Sequence, residues 1–298
     1  MIIKGIDNEK CIKCLECVKE CPSGLFIKPE IEIGEKRRVV FKDPYNGCIE
    51  CGHCIAVCPT EAVMFEADDE PLAFEEAKNP EQLIKYETLM KFVRIRRSIR
   101  QFKKQDVPRE KIESVLNAMR YAPSASNDRG WKYIVLKDQK KIDRIRQSVI
   151  KMLELLRKLI KYQKVLKYVL PKGIKHMVTD PQKKVSLNDF FEKVESGKDP
   201  VFYDAPVLII SYAPEVESLP LNDAGIAITH GMFVAQSLGL GTCWIGYAQE
   251  ALNRSDDLKE MLDIPDENEV TGAFILGYPD VKYQRAPPRA PLDVSWKL

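Results

Sequence analysis

The sequence predicts an α+β chain in two parts. A small cysteine-rich N-terminal domain spans residues 1–70, and a mixed sheet with flanking helices occupies residues 71–298. Three observations predict this. Eight of the nine cysteines fall within the first 58 residues. Formal charge changes sign between the parts, from 9 Lys/Arg against 14 Asp/Glu in residues 1–70 to 37 against 30 in the remainder. Beyond residue 100, helix-period apolar spacing alternates with short β-branched and aromatic runs.

The boundary lies near Asp68-Asp69-Glu70-Pro71, where proline interrupts regular structure, and Glu75 onward reads as a connecting helix towards Arg96. Val107-Pro108 followed by Ile112, Val115, Leu116 and Met119 gives a helix with proline in its first turn. Trp131 to Leu136 reads as a strand, and the fully apolar Val207-Leu208-Ile209-Ile210 as a central one. Residues from about Asp223 to Leu240 form a buried helix ending at Gly239 or Gly241. Cys243-Trp244-Ile245 and Ala273-Phe274-Ile275-Leu276 supply two more strands.

Between these elements, residues 137–200 read as a basic helical insertion. Residues 137–198 hold 17 Lys/Arg and 7 Asp/Glu, and Ile142, Ile145, Val149, Leu153, Leu156, Ile160 and Leu166 mark one helical face. Two readings stand: a helix covering the core with its lysines in water, or a docking surface for an acidic electron carrier or a membrane surface.

Composition sets outer bounds. With 298 residues, 45% of them hydrophobic, there is enough apolar material for two modest domains. Net charge is only +2, which argues against a nucleic-acid binder driven by bulk charge. No apolar run reaches the roughly 18 residues of a membrane span, and the N-terminus has no apolar signal core, so a cytoplasmic protein is expected.

The cysteines repeat. Cys11, Cys14, Cys17 and Cys21-Pro22 recur as Cys48, Cys51, Cys54 and Cys58-Pro59, a duplicated C-x2-C-x2-C-x3-C-P run. Reduced cytosolic thiols crowded in this way ask for metal rather than disulfides. Zinc takes two pairs per ion and has no use for a third cysteine at the same spacing, whereas a cubane iron–sulfur cluster needs thiolates converging from several directions. His53 lies inside the second run, but the four ligand places are already filled, so it reads as a surface neighbour.

Over residues 1–66 the chain resembles a two-cluster bacterial ferredoxin. The resemblance implies two [4Fe-4S] clusters with crossed ligands. One would take Cys11, Cys14, Cys17 and Cys58, and the other Cys48, Cys51, Cys54 and Cys21. Such a domain passes single electrons and performs no bond chemistry itself.

In the second part, Arg96-Arg97-Ser98-Ile99-Arg100 packs three guanidinium groups and a hydroxyl into five residues, a pattern suited to phosphate. Ala122-Pro123-Ser124-Ala125-Ser126-Asn127 places short polar groups between a helix and a strand. Gly239 to Gly246 is a small-residue turn that lets a ligand approach the backbone, though without dinucleotide-fingerprint spacing. Asp204-Ala205-Pro206-Val207-Leu208, Leu276-Gly277-Tyr278-Pro279 and Arg289-Ala290-Pro291-Leu292 follow in order.

Together these segments resemble the nitroreductase family of FMN enzymes over about residues 90–136 and 200–293. The resemblance implies that Arg96, Arg97, Ser98 and Arg100 hold the FMN phosphate and ribityl chain, with Arg289 reaching the phosphate from the C-terminal side. It places Ser124, Ser126 and Asn127 at the ribityl chain and flavin edge, and the backbone of Ile245 and Gly246 near the reactive ring nitrogen. It also implies a homodimer with FMN sites at the interface. Relatives often carry Gln-Pro-Trp after the asparagine; here Arg129-Gly130-Trp131 stands further on, and Arg129 could alter substrate charge preference. Cys243 reads as a small buried apolar filler, since nothing basic flanks it in sequence.

The expectation is therefore an FMN-dependent oxidoreductase in which two [4Fe-4S] clusters relay electrons to FMN. The acceptor would be a small molecule of nitro, quinone or activated-alkene type, and the donor an electron-transfer protein or reduced nicotinamide. No side chain is assigned as a catalytic acid or base. Two other readings remain: an electron-transfer subunit or redox sensor without its own turnover, and a flavoenzyme reduced by NAD(P)H that sends electrons outward through the clusters.

Overall fold

The computed structural model describes residues 1–28, 38–69, 71–163, 175, 178–216 and 219–297. The chain divides into two compact units, one of residues 1–86 with 126–128, the other of residues 87–125 with 129–298.

The first unit is built from paired short elements. Strand β1 (Ile2–Ile6) pairs antiparallel with β4 (Val63–Glu66), and β2 (Phe26–Ile27) with β3 (Val40–Phe41). Two short helices, α1 (Glu16–Glu20) and α2 (His53–Ala56), each contain one buried cysteine, Cys17 and Cys54. Each helix is entered through a left-handed residue, Leu15 at φ 67° and Gly52 at φ 74°, at equivalent places in the duplicated run. Apolar packing is small: Ile3, Ile6, Phe26, Val39, Ala62 and Val63 pack with the cysteines themselves. So few buried side chains cannot supply much of the stability of an independent domain, and cofactor ligation fits the deficit.

The connecting segment departs from expectation. Instead of one helix from Glu75, there are two 3-10 turns, Glu75–Lys78 and Pro80–Gln82, before helix α3 (Tyr86–Ile95). Pro80 has no N–H to donate and drives Asn79 out of the helical region, to φ −138° and ψ 68°.

The second unit is a three-layer arrangement around a sheet of order β5-β6-β8-β7, each neighbouring pair antiparallel. The strands are β5 (Lys132–Leu136), β6 (Val207–Pro214), β7 (Gly241–Trp244) and β8 (Asn268–Gly277). Strand β6 is central, as its unbroken apolar run predicts. Alternate residues serve opposite faces. Val207 and Ile209, with Phe274 and Leu276, pack against α4 (Arg109–Arg120) and α7 (Pro220–Ser237). Leu208 and Ile210, with Ala273 and Ile275, face α5 (Gln139–Lys161), α6 (Pro181–Glu195), α8 (Gly246–Asn253) and α9 (Asp256–Met261).

The periodic faces read from sequence are the buried ones. Helix α4 buries Ile112, Val115 and Met119; α5 buries Ile142, Ile145, Val149, Leu153 and Ile160, with Asp138 capping its first turn through Lys140 N. Leu166 lies outside the described residues. Helix α7 stops before Gly239, which takes φ 75°. Where α4 and α7 cross, Gly231 is required: a Cβ there would come 2.7 Å from Met119 Cγ.

Candidate functional site

The first unit gathers its eight cysteines into two cavities. One is lined by Cys11, Cys14, Cys17 and Cys58, with Ile6, Ile12, Leu15, Val39, Thr60 and Ala62. The other is lined by Cys21, Cys48, Cys51 and Cys54, with Ile3, Phe26, Phe41 and neighbours. Each cavity thus draws three cysteines from one run and the fourth from the other. Among the described residues, no group of three or more His, Cys, Asp or Glu is arranged to hold a single metal ion. Four thiols drawn from both runs around each cavity suit a cubane, in which each thiolate has its own iron.

The backbone is prepared for sulfur in the same way in both repeats. Ala62 N–H donates to Cys58 Sγ at 3.2 Å, and Leu25 N–H to Cys21 Sγ at 3.4 Å, each from four residues downstream of its acceptor. Burial alone would raise the Cys58 thiol, but the N–H groups of Thr60, Ala62 and Val63 and the Thr60 hydroxyl outweigh it and hold it below its ordinary value. Burial pushes Cys54 up to about 11, with the neighbouring Cys51 adding to it. Burial likewise raises Cys17, helped by Cys11, Cys14 and Cys58. Thiols that are hard to ionise alone but grouped around one cavity are suited to ligands whose charge a metal cluster neutralises. His53 is exposed. Asn127, which belongs with the first unit, donates its side-chain amide to the carbonyl of Ile49, between Cys48 and Cys51, at 2.7 Å.

In the second unit the arginine segment lies along the free edge of β7. Ser98 pairs with Thr242 in a parallel bridge, and Ile99 N–H donates to Thr242 O at 2.9 Å. Gly241 makes this possible, because a Cβ there would stand 2.5 Å from Ile99 Cγ1 and 2.9 Å from Pro279 Cγ. Further along, Lys103 N–H donates to Tyr278 O and Asp280 N–H to Gln101 O, both at 2.9 Å. Three motifs distant in sequence, 96–103, 239–246 and 276–280, therefore converge. Arg96, Arg97 and Ser98 are half-buried and Arg100 is exposed. Ile245 is buried, with its N–H on Ala273 O at 2.8 Å, and Gly246 opens α8 with no atom near a would-be Cβ.

The polar turn after α4 is held from below. The buried carboxylate of Asp223 accepts the Ala125 N–H at 3.0 Å, and the Ser124 hydroxyl accepts the Arg129 N–H at 3.0 Å. Ser126, Asn127 and Arg129 all take left-handed φ values of 49–59°. Non-glycine residues in that region are costly and cluster where a loop is shaped for a task. Arg289 is exposed on the C-terminal segment, and among the described residues no hydrogen bond or ion pair links it to the arginine segment.

Two features were not foreseen from sequence. Cys243 is buried, but its spatial neighbours are basic: burial raises its thiol against the downward pull of Arg100, the Ser98 hydroxyl and Arg96. Asp199, whose side chain is 4% exposed, accepts the N–H groups of Val201, Phe202 and Asp204 and pairs with Arg146 at 3.1 Å. An Asp-Pro pair is a turn signal in sequence, but the burial of this carboxylate depends on α5 and has no local signature.

Fold and sites define an oxidoreductase that joins an iron–sulfur module to a flavin-binding layer fold. Comparison with known proteins agrees. The nitroreductase family model matches residues 93–278, more than half of the chain, and the 4Fe-4S dicluster domain model matches residues 10–63. The chain belongs to the nitroreductase family and carries an N-terminal 4Fe-4S dicluster domain; it is a flavin-dependent oxidoreductase with two such clusters.

It is similar to a candidate NADH dehydrogenase/NAD(P)H nitroreductase of Methanothermobacter thermautotrophicus, 26% identical over 64% of this chain and 77% of that one. It is 27% identical to rat iodotyrosine deiodinase 1 over 72% of this chain and 70% of that one. Among solved structures, a nitroreductase with bound FMN from Desulfitobacterium hafniense shares the fold, with a TM-score of 0.51 and 22% identity over 70% of this chain and 96% of that one.

Proposed function

We propose that the two clusters relay single electrons to FMN, which reduces a small organic acceptor of nitro, quinone or activated-alkene type. The observation that carries this is the division of eight cysteines into two crossed sets of four within a chain whose other unit has the nitroreductase fold. The clusters supply one-electron steps, and the flavin turns them into two-electron chemistry.

The chain's own residues bind and orient. Cys11, Cys14, Cys17 and Cys58 hold one cluster, and Cys21, Cys48, Cys51 and Cys54 the other, with the Ala62 and Leu25 N–H groups supporting the crossing thiolates. Arg96, Arg97, Ser98 and Arg100 meet the FMN phosphate and ribityl chain. Ser124, Ser126 and Asn127 line the flavin edge, and the backbone at Ile245 and Gly246 approaches the ring. Arg289 reaches the phosphate from the C-terminal side. In support of a homodimer, α3 carries Tyr86, Leu89, Val93 and Ile95 yet buries none of its residues. We take the protein as cytoplasmic and reduced by an electron carrier or nicotinamide; among the described residues no helix is long and apolar enough to cross a membrane.

The test is a single turnover without oxygen. The chain, reduced at both clusters and flavin and then freed of reductant, is mixed with a nitroarene or a quinone, and cluster and flavin absorbance are followed together. Reoxidation of clusters and flavin with reduced organic product supports the reading. Product formation that leaves the clusters reduced would refute the relay.

A further inference from the structure

We propose that Tyr203 is a positioning residue that holds the Arg100 guanidinium ready for the flavin cofactor. The inference rests on the FMN reading above and concerns a residue that the cofactor motifs do not contain.

The turn that carries Tyr203 is strained for a purpose. Tyr203 and Asp204 are consecutive, neither is glycine, and both adopt left-handed backbone, at φ 57° and 55°. Such a pair persists only where the surroundings over-determine it. Those surroundings are specific. Asp199 Oδ1 accepts the N–H groups of Val201 and Phe202, each at 3.0 Å, and its Oδ2 accepts that of Asp204 at 3.2 Å and pairs with Arg146. Val201 and Phe202 are sunk in the core at 2% and 1% exposure. Downstream, Pro206 abuts Gly277 so closely that a Cβ there would stand 2.7 Å from its Cδ. The turn is pinned at both ends, and the side chain it fixes is the Tyr203 ring.

That ring faces the Arg100 guanidinium. Arg100 Cζ lies 5.8 Å from its centroid, within the range of a cation–π contact. Burial raises the Tyr203 phenol, while the Arg100 charge pulls the other way. Arg100 itself has a fixed backbone, through Ile99 N–H on Thr242 O, but an exposed side chain with many rotamers. A free guanidinium loses that freedom when it engages an anion or a ring edge. One already stacked on an aromatic face has lost it beforehand, so ligand binding is tighter. Cys243, buried on β7, is near the same guanidinium, which draws its thiol down against burial.

The test uses the full, cluster-loaded chain, stripped of FMN and titrated with FMN by fluorescence quenching. Tyr203→Leu is expected to raise the FMN Kd about 3- to 30-fold, the range of a partly desolvated cation–π contact. Tyr203→Phe, which keeps the ring, is expected to restore binding to near the wild-type value. In an Arg100→Leu background, Tyr203→Leu should have no further effect, a coupling that a merely structural residue would not show. Tyr203→Met replaces Tyr203→Leu if the latter fails to fold. Wild-type affinity in the leucine variant, failure of Phe to rescue, or an undiminished effect without Arg100 would each overturn the proposal. A wild-type chain that bound no FMN would instead refute the FMN reading on which it rests.

Discussion

Gly241→Ala tests the convergence on which the proposed flavin site depends. Gly241 has no left-handed φ, so alanine brings no backbone penalty of its own. The whole effect is steric: the new methyl would meet Ile99 Cγ1 at 2.5 Å, Ile99 Cβ at 2.9 Å and Pro279 Cγ at 2.9 Å. Ile99 is 6% exposed and tied to Thr242 O through its N–H at 2.9 Å, so the segment can yield only by leaving the edge of β7. Overpacking of this kind costs about 1–3 kcal/mol, and the displacement carries Ser98 and Arg100 with it. Urea unfolding of the second unit should register that loss, and FMN affinity should fall by about 5- to 100-fold over the same energy range. Ile99→Ala removes the closest contact, so the double variant should be less damaged than the two single effects summed. Wild-type stability and FMN affinity in Gly241→Ala, or strict additivity with Ile99→Ala, would refute this account of the β7 edge.

The crossed ligand sets predict a pattern of double replacements: Cys11→Ser with Cys58→Ser should leave one intact cluster, about four irons per chain, while Cys11→Ser with Cys21→Ser should destroy both. Iron analysis and EPR of the reduced proteins distinguish this from pairing within each run, which predicts the reverse. Asp199→Ala should destabilise the second unit by about 3 kcal/mol or more, because three backbone N–H groups and Arg146 lose a buried acceptor; chemical denaturation measures it. Cys243 should resist iodoacetamide at pH 7.5 in the folded protein: burial raises its thiol, so the unreactive protonated form persists above the pH at which an ordinary cysteine ionises. Peptide mass spectrometry across a pH series should show its modification beginning later than that of a denatured control.

What could be read from sequence follows from locality. Helices α4, α5 and α7 announce themselves because each buries one periodic face, and β6 because both its faces are covered. The cysteine runs are legible because their spacing is itself the geometry of the site. The connecting helix failed at a single residue, Pro80, whose effect on Asn79 outweighs the helical composition around it. Cys243 shows the other limit. Its sequence neighbours are apolar, and the arginines that approach it come from a segment joined to β7 only through the sheet edge. Asp199 and Tyr203 were invisible for the same reason: a buried carboxylate and a left-handed tyrosine acquire meaning only when Arg146 and Arg100 are brought beside them.

The most direct measurement is isolation of the full chain under strict exclusion of oxygen, with iron, acid-labile sulfide and flavin quantified together. About eight irons, eight sulfides and one FMN per chain are expected from two cubanes and one flavin site. A preparation rich in zinc, or one with iron and sulfide but no FMN even after incubation with it, would contradict a cluster-fed flavoenzyme.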